Sequence, residues 1–134
     1  MEAKLSENFG LEVGEPLNVN RAVARLEYES TGTLAASIPD AVVLTINGKE
    51  AARLAVPQEL GAWSERFDLL PYIVDGANNF ELEVWTYEID VFGGKVSTNA
   101  SVRIWVGPRR IFSESYSTRE GSRQSTDKLL VPIN

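Results

Sequence analysis

The sequence predicts an all-β fold, an antiparallel sandwich of two sheets built from about seven strands. Apolar and polar residues alternate along most of the chain, a pattern typical of strands with one buried and one outward face. Turn residues separate the alternating runs, and no longer segment has the apolar spacing of an amphipathic helix. Two packed sheets are the natural way to cover so many one-sided strands.

The N-terminal third of the chain supplies a lead-in and the first strands. We interpret residues 1–19 as an N-terminal lead-in with a short edge strand, because Gly14 and Pro16 interrupt its alternation. Residues 22–29 alternate as a half-buried strand. A further inward face follows at residues 42–46, which begins the next strand.

The later strands are defined by a tight turn and by two long alternating runs. Asn47 and Gly48 favour the left-handed backbone of a two-residue hairpin turn, and the return strand ends at Pro57. The longest alternating runs are residues 80–84 and 101–106, joined by a segment with a Gly-Gly pair. These two runs are the strongest strand signals in the chain.

The composition limits the chemistry available to this chain, which has no Cys and no His. Without Cys there is no disulfide framework and no thiolate nucleophile, and without His the commonest general base and metal ligand are missing. We therefore predict a protein that is not an enzyme, with no catalytic residues, no metal site and no cofactor.

Acidic and amide residues leave two alternatives to that prediction. Glu81 and Glu83 form one of several acidic pairs, and such pairs hydrolyse glycosides only when they lie in a cleft. Asp75, Asn78 and Asn79 offer the oxygen ligands that calcium prefers. Both patterns are also ordinary on outward strand faces and in turns, and we favour that interpretation.

The formal net charge of −6 bears on the possible partners. An acidic body argues against nucleic-acid binding, which needs a basic surface for the phosphates. No apolar run is long enough to span a membrane, and the first ten residues lack the basic and apolar regions of a signal peptide. We expect a chain made in the cytoplasm without a signal peptide and with neither a nucleic-acid nor a membrane partner.

The order of motifs over residues 20–106 resembles the later strands of immunoglobulin-like and fibronectin-III-like modules. The motifs read LTINGKE, FDLLPYIVDGANNFELEVW and SVRIWV, which are a hairpin with an Asn-Gly turn, a long strand after its leading turn, and a closing strand. The Cys pair of antibody domains is missing. The resemblance implies an immunoglobulin-like sandwich. A Cys-free single sandwich with arms at both ends also resembles the small structural proteins of bacteriophage particles, which implies a structural role.

A parity argument places four large side chains on one outward face. If the runs 80–84 and 101–106 are partner strands, residues that face each other must lie on the same side of the sheet. A three-residue loop at 93–95 satisfies this condition, and such loops carry Gly in the left-handed position. The outward face then contains Trp85, Tyr87, Arg103 and Trp105.

This outward face predicts a contact with other protein subunits, because Trp, Tyr and Arg are the favoured anchor residues of interfaces. Two alternatives are that neighbouring loops cover the rings, and that the rings together with Trp63 bind a glycan by stacking. Phe92 lies on an arm that follows the run 80–84. Glu88 and Asp90 occupy positions of the arm that the alternation would bury, although acidic side chains are seldom buried. That arm either packs at the end of the sandwich or projects as a finger toward a neighbouring subunit.

Residues 107–134 change in composition and are rich in Ser, Thr and Arg. We predict an extended C-terminal arm whose residues 113–128 are mobile in an isolated monomer, because they cannot bury enough apolar surface to fold alone. The apolar residues Leu129, Leu130 and Ile133 would anchor the end of the arm, either back on the sandwich or on another chain by strand addition, and we favour the other chain.

Together these features predict a non-enzymatic structural or protein–protein interaction module of a larger assembly, for example a virion decoration or tail-associated subunit. The expected partners are other protein subunits, including copies of the same chain. A carbohydrate-binding module that uses exposed aromatic residues is the alternative function.

Overall fold

The computed structural model of this chain describes residues 2–3, 11–13, 23–30, 37–86, 88–97, 99–117 and 123–133. These residues form twelve strands and no helix, so the predicted all-β class is confirmed, with more strands than expected. The strands are β1 (Glu2–Ala3), β2 (Leu11–Val13), β3 (Val23–Ser30), β4 (Ile38–Ile46), β5 (Lys49–Val56), β6 (Gly61–Asp68), β7 (Gly76–Thr86), β8 (Glu88–Val91), β9 (Gly94–Ser97), β10 (Asn99–Val106), β11 (Arg109–Ser117) and β12 (Arg123–Ile133).

Two sheets pack face to face around one core. The six-stranded sheet has the order β1-β2-β12-β7-β4-β5, and the four-stranded sheet has the order β11-β10-β3-β6. Within the first, β12, β7, β4 and β5 are antiparallel neighbours, while β2 is added beside β12 in parallel. The predicted two-sheet antiparallel sandwich is therefore confirmed at this level of architecture.

The core is built from the inward residues of the alternating runs. Leu26, Leu44, Leu82 and Ile104 are completely buried. Leu44 and Leu82 face each other across β4 and β7, so the predicted inward sets share one face. Burial of apolar surface at roughly 25 cal/mol per Å² makes this layer the main source of stability.

A second inter-sheet contact is polar. Tyr116 of β11 donates a hydrogen bond to Asp127 of β12, and these strands lie in different sheets. Burial, and then the hydrogen bond to Asp127, raises the pKa of the Tyr116 phenol above its usual range. The phenol therefore stays protonated and keeps donating to the carboxylate at neutral pH.

Two short turns position neighbouring strands. Asn47 and Gly48 have φ values of 51° and 84° between the paired residues Ile46 and Lys49, so the predicted tight hairpin is confirmed. The turn between β10 and β11 contains Gly107, with a φ of 56°, followed by Pro108. A positive φ at the first central position is typical of a type II′ turn, and it favours Gly there.

The predicted hairpin between the runs 80–84 and 101–106 is wrong. Strand β7 belongs to the six-stranded sheet and β10 to the four-stranded sheet, so the two are not partners. Between them β8 and β9 form a separate two-stranded sheet, with Val91 opposite Gly94 and therefore a two-residue turn instead of a three-residue loop. The parity rule applies only to strands of one sheet, and the chain here crosses from one sheet to the other.

The predicted C-terminal arm is also wrong, because residues after 107 supply two strands of the sandwich. Strand β11 pairs with β10 from Asn99 to Val106, and β12 pairs with β7 through eleven residues. Leu129 and Ile133 are buried in the core of their own chain, so they are not anchors for another chain. Strand β12 pairs with β7 along its whole length and with β2 at Leu129 and Leu130, and these hydrogen bonds offset the ordering cost that its polar composition suggested.

Candidate functional site

The structure divides the predicted aromatic face between the two sheets. Trp85 lies on the outward side of β7, between the buried residues Val84 and Thr86. Arg103 and Trp105 lie on the outward side of β10, in the other sheet. The prediction of one shared face is therefore wrong, because the two faces look away from each other across the sandwich.

The remaining aromatic residues do not rebuild a common platform. Trp63 and Trp85 are each partly buried and pack against the core. Tyr87 lies outside the described residues. Trp63, Trp85 and Trp105 therefore do not form one stacking surface. A glycan could not stack on these three rings together.

The other predicted contact residues are at separate places. Phe92 is fully exposed at the turn between β8 and β9, a hairpin that we call the finger. The hairpin forms its own two-stranded sheet, and the two alternatives for this arm, packing at the end of the sandwich or projecting, stay predictions. Leu130 is exposed on β12, between core residues Leu129 and Val131.

The outward side of the four-stranded sheet carries a row of cations beside Trp105. Trp105 faces Arg25 of β3 on one side and Arg110 of β11 on the other, and Arg25 in turn faces Arg66 of β6. Facing residues in an antiparallel ladder lie on the same side of the sheet. We call this set of Arg66, Arg25, Trp105 and Arg110 the Trp105 row.

Arg25 stacks on Trp105. The guanidinium carbon of Arg25 lies 5.2 Å from the centroid of the Trp105 ring, which is the geometry of a cation–π contact. Such a contact contributes about 0.5–1 kcal/mol at an exposed site and about 2 kcal/mol when it is desolvated. Strand β11 has a bulge opposite Ile104 and Trp105, an irregularity that often occurs beside binding sites.

A pocket of about 400 Å³ lies at this row. Arg25, Arg66 and Trp105 line it together with Val23 and the turn at 107–108, and we call it the Trp105 pocket. Its volume falls in the range of about 300–1,000 Å³ that is typical of ligand sites. The Gly107 amide donates to the Val23 carbonyl over 3.0 Å, which holds the turn against β3 at the edge of the pocket.

Two nitrogen donors at the pocket have no acceptor in the part of the chain that the structure describes. They are Arg25 Nε and Trp105 Nε1, and both atoms are buried. A buried donor without an acceptor costs about 1–3 kcal/mol, and more when the group is charged. Water or a bound molecule that reached these atoms would remove this cost, so they mark the pocket as a candidate site.

The neighbouring row on the same face is closed by ion pairs. Arg103 donates from Nη1 to Glu27 Oε1 over 2.9 Å and from Nη2 to Glu29 Oε1 over 2.8 Å. These hydrogen bonds, that to Glu29 first, raise the pKa of the Arg103 guanidinium. Arg103 therefore belongs to the face as predicted, but its donors are used inside the chain.

The calcium alternative does not agree with the geometry of Asn78. Its buried side-chain oxygen accepts from Asn47 Nδ2 over 2.8 Å and from the Val74 amide over 2.7 Å. Its nitrogen donates to the carbonyls of Val74 and Gly76. The amide thus links two turns of the sandwich, and the described residues contain no cluster of metal-ligating side chains.

Comparison of the chain with protein-family models, with curated proteins and with solved structures finds no match. Among the described residues, no helix is long and apolar enough to cross a membrane. Function is inferred below from the Trp105 pocket and the finger.

Proposed function

We propose that this chain is a non-enzymatic interaction module that assembles with other protein subunits, including copies of itself. The observation that carries the proposal is the Trp105 pocket. Trp105, Arg25 and Arg66 are residue types that dominate interface hot spots, and here they surround one open pocket. Val23 and the Trp105 ring offer a partner apolar surface, and the two donors without acceptors offer hydrogen bonds.

The finger supports the same proposal. Among the described residues, strands β8 and β9 pair only with each other, and the Phe92 side chain at their turn is fully exposed. A two-stranded hairpin is only marginally stable by itself in water. Contact with a neighbouring subunit would bury Phe92 and stabilise the hairpin, as expected for an assembly element.

We extend the proposal to an immunoglobulin-like module, of the kind that the resemblance suggests for decoration or tail-associated subunits of virus particles. Two packed antiparallel sheets support the immunoglobulin-like part. The antiparallel strands number four in each sheet, whereas constant-type domains have four and three. Since this architecture serves many functions, the fold alone does not select a role in a virus particle, and that role is proposed from the resemblance.

Carbohydrate binding is the second candidate, and one observation favours it. The Trp105 ring lines an open pocket, and aromatic rings stack on sugars. Arg25 lies over this ring, so one of its two faces is already occupied. A sugar would have to bind through the other face of Trp105 without help from Trp63 or Trp85.

Light scattering on the full chain across a concentration series tests the proposal. We expect wild type to associate as concentration rises and Trp105→Ala to weaken association by about 2 kcal/mol or more, the size of a hot-spot truncation. The control is Trp85→Ala on the opposite sheet, which should associate like wild type. The melting temperature of Trp105→Ala should change little.

Other results would contradict the proposal. A chain that stays monomeric at every concentration overturns self-association. Equal weakening by Trp85→Ala and Trp105→Ala would mean that the pocket is not the contact. Binding to a neutral glycan array that is lost in Trp105→Ala would favour the carbohydrate alternative.

A further inference from the structure

We propose that the Trp105 pocket binds a carboxylate of an acidic protein segment on the partner subunit. The inference rests on the proposed function, since it names the group that the partner inserts. It follows from the donors of the pocket, from the charges that face each other there, and from its apolar lining.

The donors require an oxygen acceptor. Arg25 Nε and Trp105 Nε1 are buried and lack acceptors within the described residues, although both side chains line the pocket. A carboxylate has two oxygens with about four acceptor sites, enough to accept from both groups once the side chains turn them toward the pocket. Hydrogen bonds between arginine and a carboxylate are also the stronger, charge-assisted kind.

The charges require an anion. Arg25 and Arg66 face each other across β3 and β6, and like charges at facing positions repel. In the described part of the chain, no carboxylate lies within ion-pair distance of either guanidinium. The nearest outward acidic side chain on β3 is Glu27, which Arg103 already holds. A bound carboxylate between Arg25 and Arg66 would replace this repulsion by two attractions.

The lining combines cations with an apolar contact. Glu27 and Asp68 lie two residues from Arg25 and Arg66 on the same strands, and neither lines the pocket. Val23, 60% exposed at the pocket, adds an apolar contact that suits a peptide side chain.

A hexaglutamate peptide with blocked ends is the probe, and its hexaglutamine counterpart is the matched control. The chain has three tryptophans, so a nitrogen-15 spectrum shows three indole signals, and Trp105→Phe identifies that of Trp105. We expect the glutamate peptide to shift the Trp105 indole and the Arg25 Nε–H signals. The indole signals of Trp63 and Trp85 should stay in place.

Charge-matched variants test the donors separately. Arg25→Gln and Arg66→Gln should each weaken binding of the glutamate peptide by about tenfold or more, which corresponds to about 1.4 kcal/mol. Arg53→Gln removes the same charge from the six-stranded sheet, where Arg53 pairs with Asp40 and Glu50, and should bind like wild type. Unchanged circular dichroism in all three shows that they fold.

Several results would overturn the inference. Equal shifts with the glutamine peptide, or equal losses in Arg53→Gln, would mean that no carboxylate is recognised at the pocket. Tighter binding of inorganic phosphate or of oligogalacturonate would assign the pocket to another anion or to an acidic sugar. If the glutamate peptide fails to bind while Trp105→Ala still abolishes association, the carboxylate is wrong and the proposed interface stands.

Discussion

Two neighbouring rows on the outward side of the four-stranded sheet contain arginines that differ in their hydrogen-bond partners. In the Arg103 row, the guanidinium is held by Glu27 and Glu29 at hydrogen-bond distance. The Trp105 row lies two residues away on each of the same strands, and there Arg25 faces Trp105 and Arg66. Arg103 thus has its hydrogen-bond acceptors inside the chain, whereas Arg25 Nε and Trp105 Nε1 have no acceptor within the described residues.

The two rows differ on all three strands, and the contrast on β3 is one of charge. Glu27 and Arg25 occupy equivalent outward positions, and each faces a residue of β10 and a residue of β6. The acid at position 27 pairs with Arg103, whereas the cation at position 25 faces a second cation, Arg66. The residue type on β3 thus contributes to whether its row is closed by ion pairs.

Glu27→Arg gives the Arg103 row a cation on β3, as the Trp105 row has, and should have the largest effect. The change removes a charge-assisted hydrogen bond to the half-buried Arg103 and places two cations opposite each other. We expect the free energy of unfolding to fall by about 2 kcal/mol, measured by urea denaturation. Ser64→Arg on the same row is the control. A loss as large in Ser64→Arg would mean that added charge, not the lost pair, is responsible.

Arg66→Glu gives the Trp105 row an opposite-charge pair and should have a smaller effect. It places a carboxylate opposite Arg25, as Glu27 stands opposite Arg103. We expect unfolding free energy to rise by about 0.5–1 kcal/mol, the range of an opposite-charge cross-strand pair, while binding of the glutamate peptide is lost. A stabilised variant that still binds the peptide would contradict the equivalence of the two rows.

Trp105→Phe should have the smallest effect on stability, although it removes part of the site. Phenylalanine keeps a ring for Arg25 and deletes the unpartnered indole N–H, so the lost ring area is offset by the lost donor. We expect a change within about 0.5 kcal/mol, together with weaker peptide binding. Destabilisation of several kcal/mol in thermal unfolding would show that the indole is a structural group.

The sequence predicted the faces of strands better than their partners. Alternation identified the inward sets that contain Leu26, Leu44 and Ile104, and Asn47-Gly48 correctly marked the hairpin. Alternation carries no information about which strand lies next to which, so the assignment of β7 and β10 to one hairpin was wrong. That error placed Trp85 beside Trp105.

The site was predicted only in part for the same reason. Trp105 and Arg103 were identified on β10, but Arg25 and Arg66 were missed because they reach Trp105 only through the register of β3, β10 and β6. Their one signal in the sequence was that Arg25 occupies an outward position of an otherwise predicted strand. Strand β12 was missed because its first half is polar, and its burial depends on neighbours on both sides.

The central position of β12 has a consequence for biosynthesis. Strand β7 needs Arg123–Ile133 as a neighbour, yet this segment leaves the ribosome after every other strand of the sandwich. Until then β7 presents an open edge with unpaired amides and carbonyls, next to the apolar residues Phe80, Leu82 and Val84. Nascent chains stalled before residue 123 should therefore be prone to aggregate and should bind chaperones, whereas release of the last strand closes the edge.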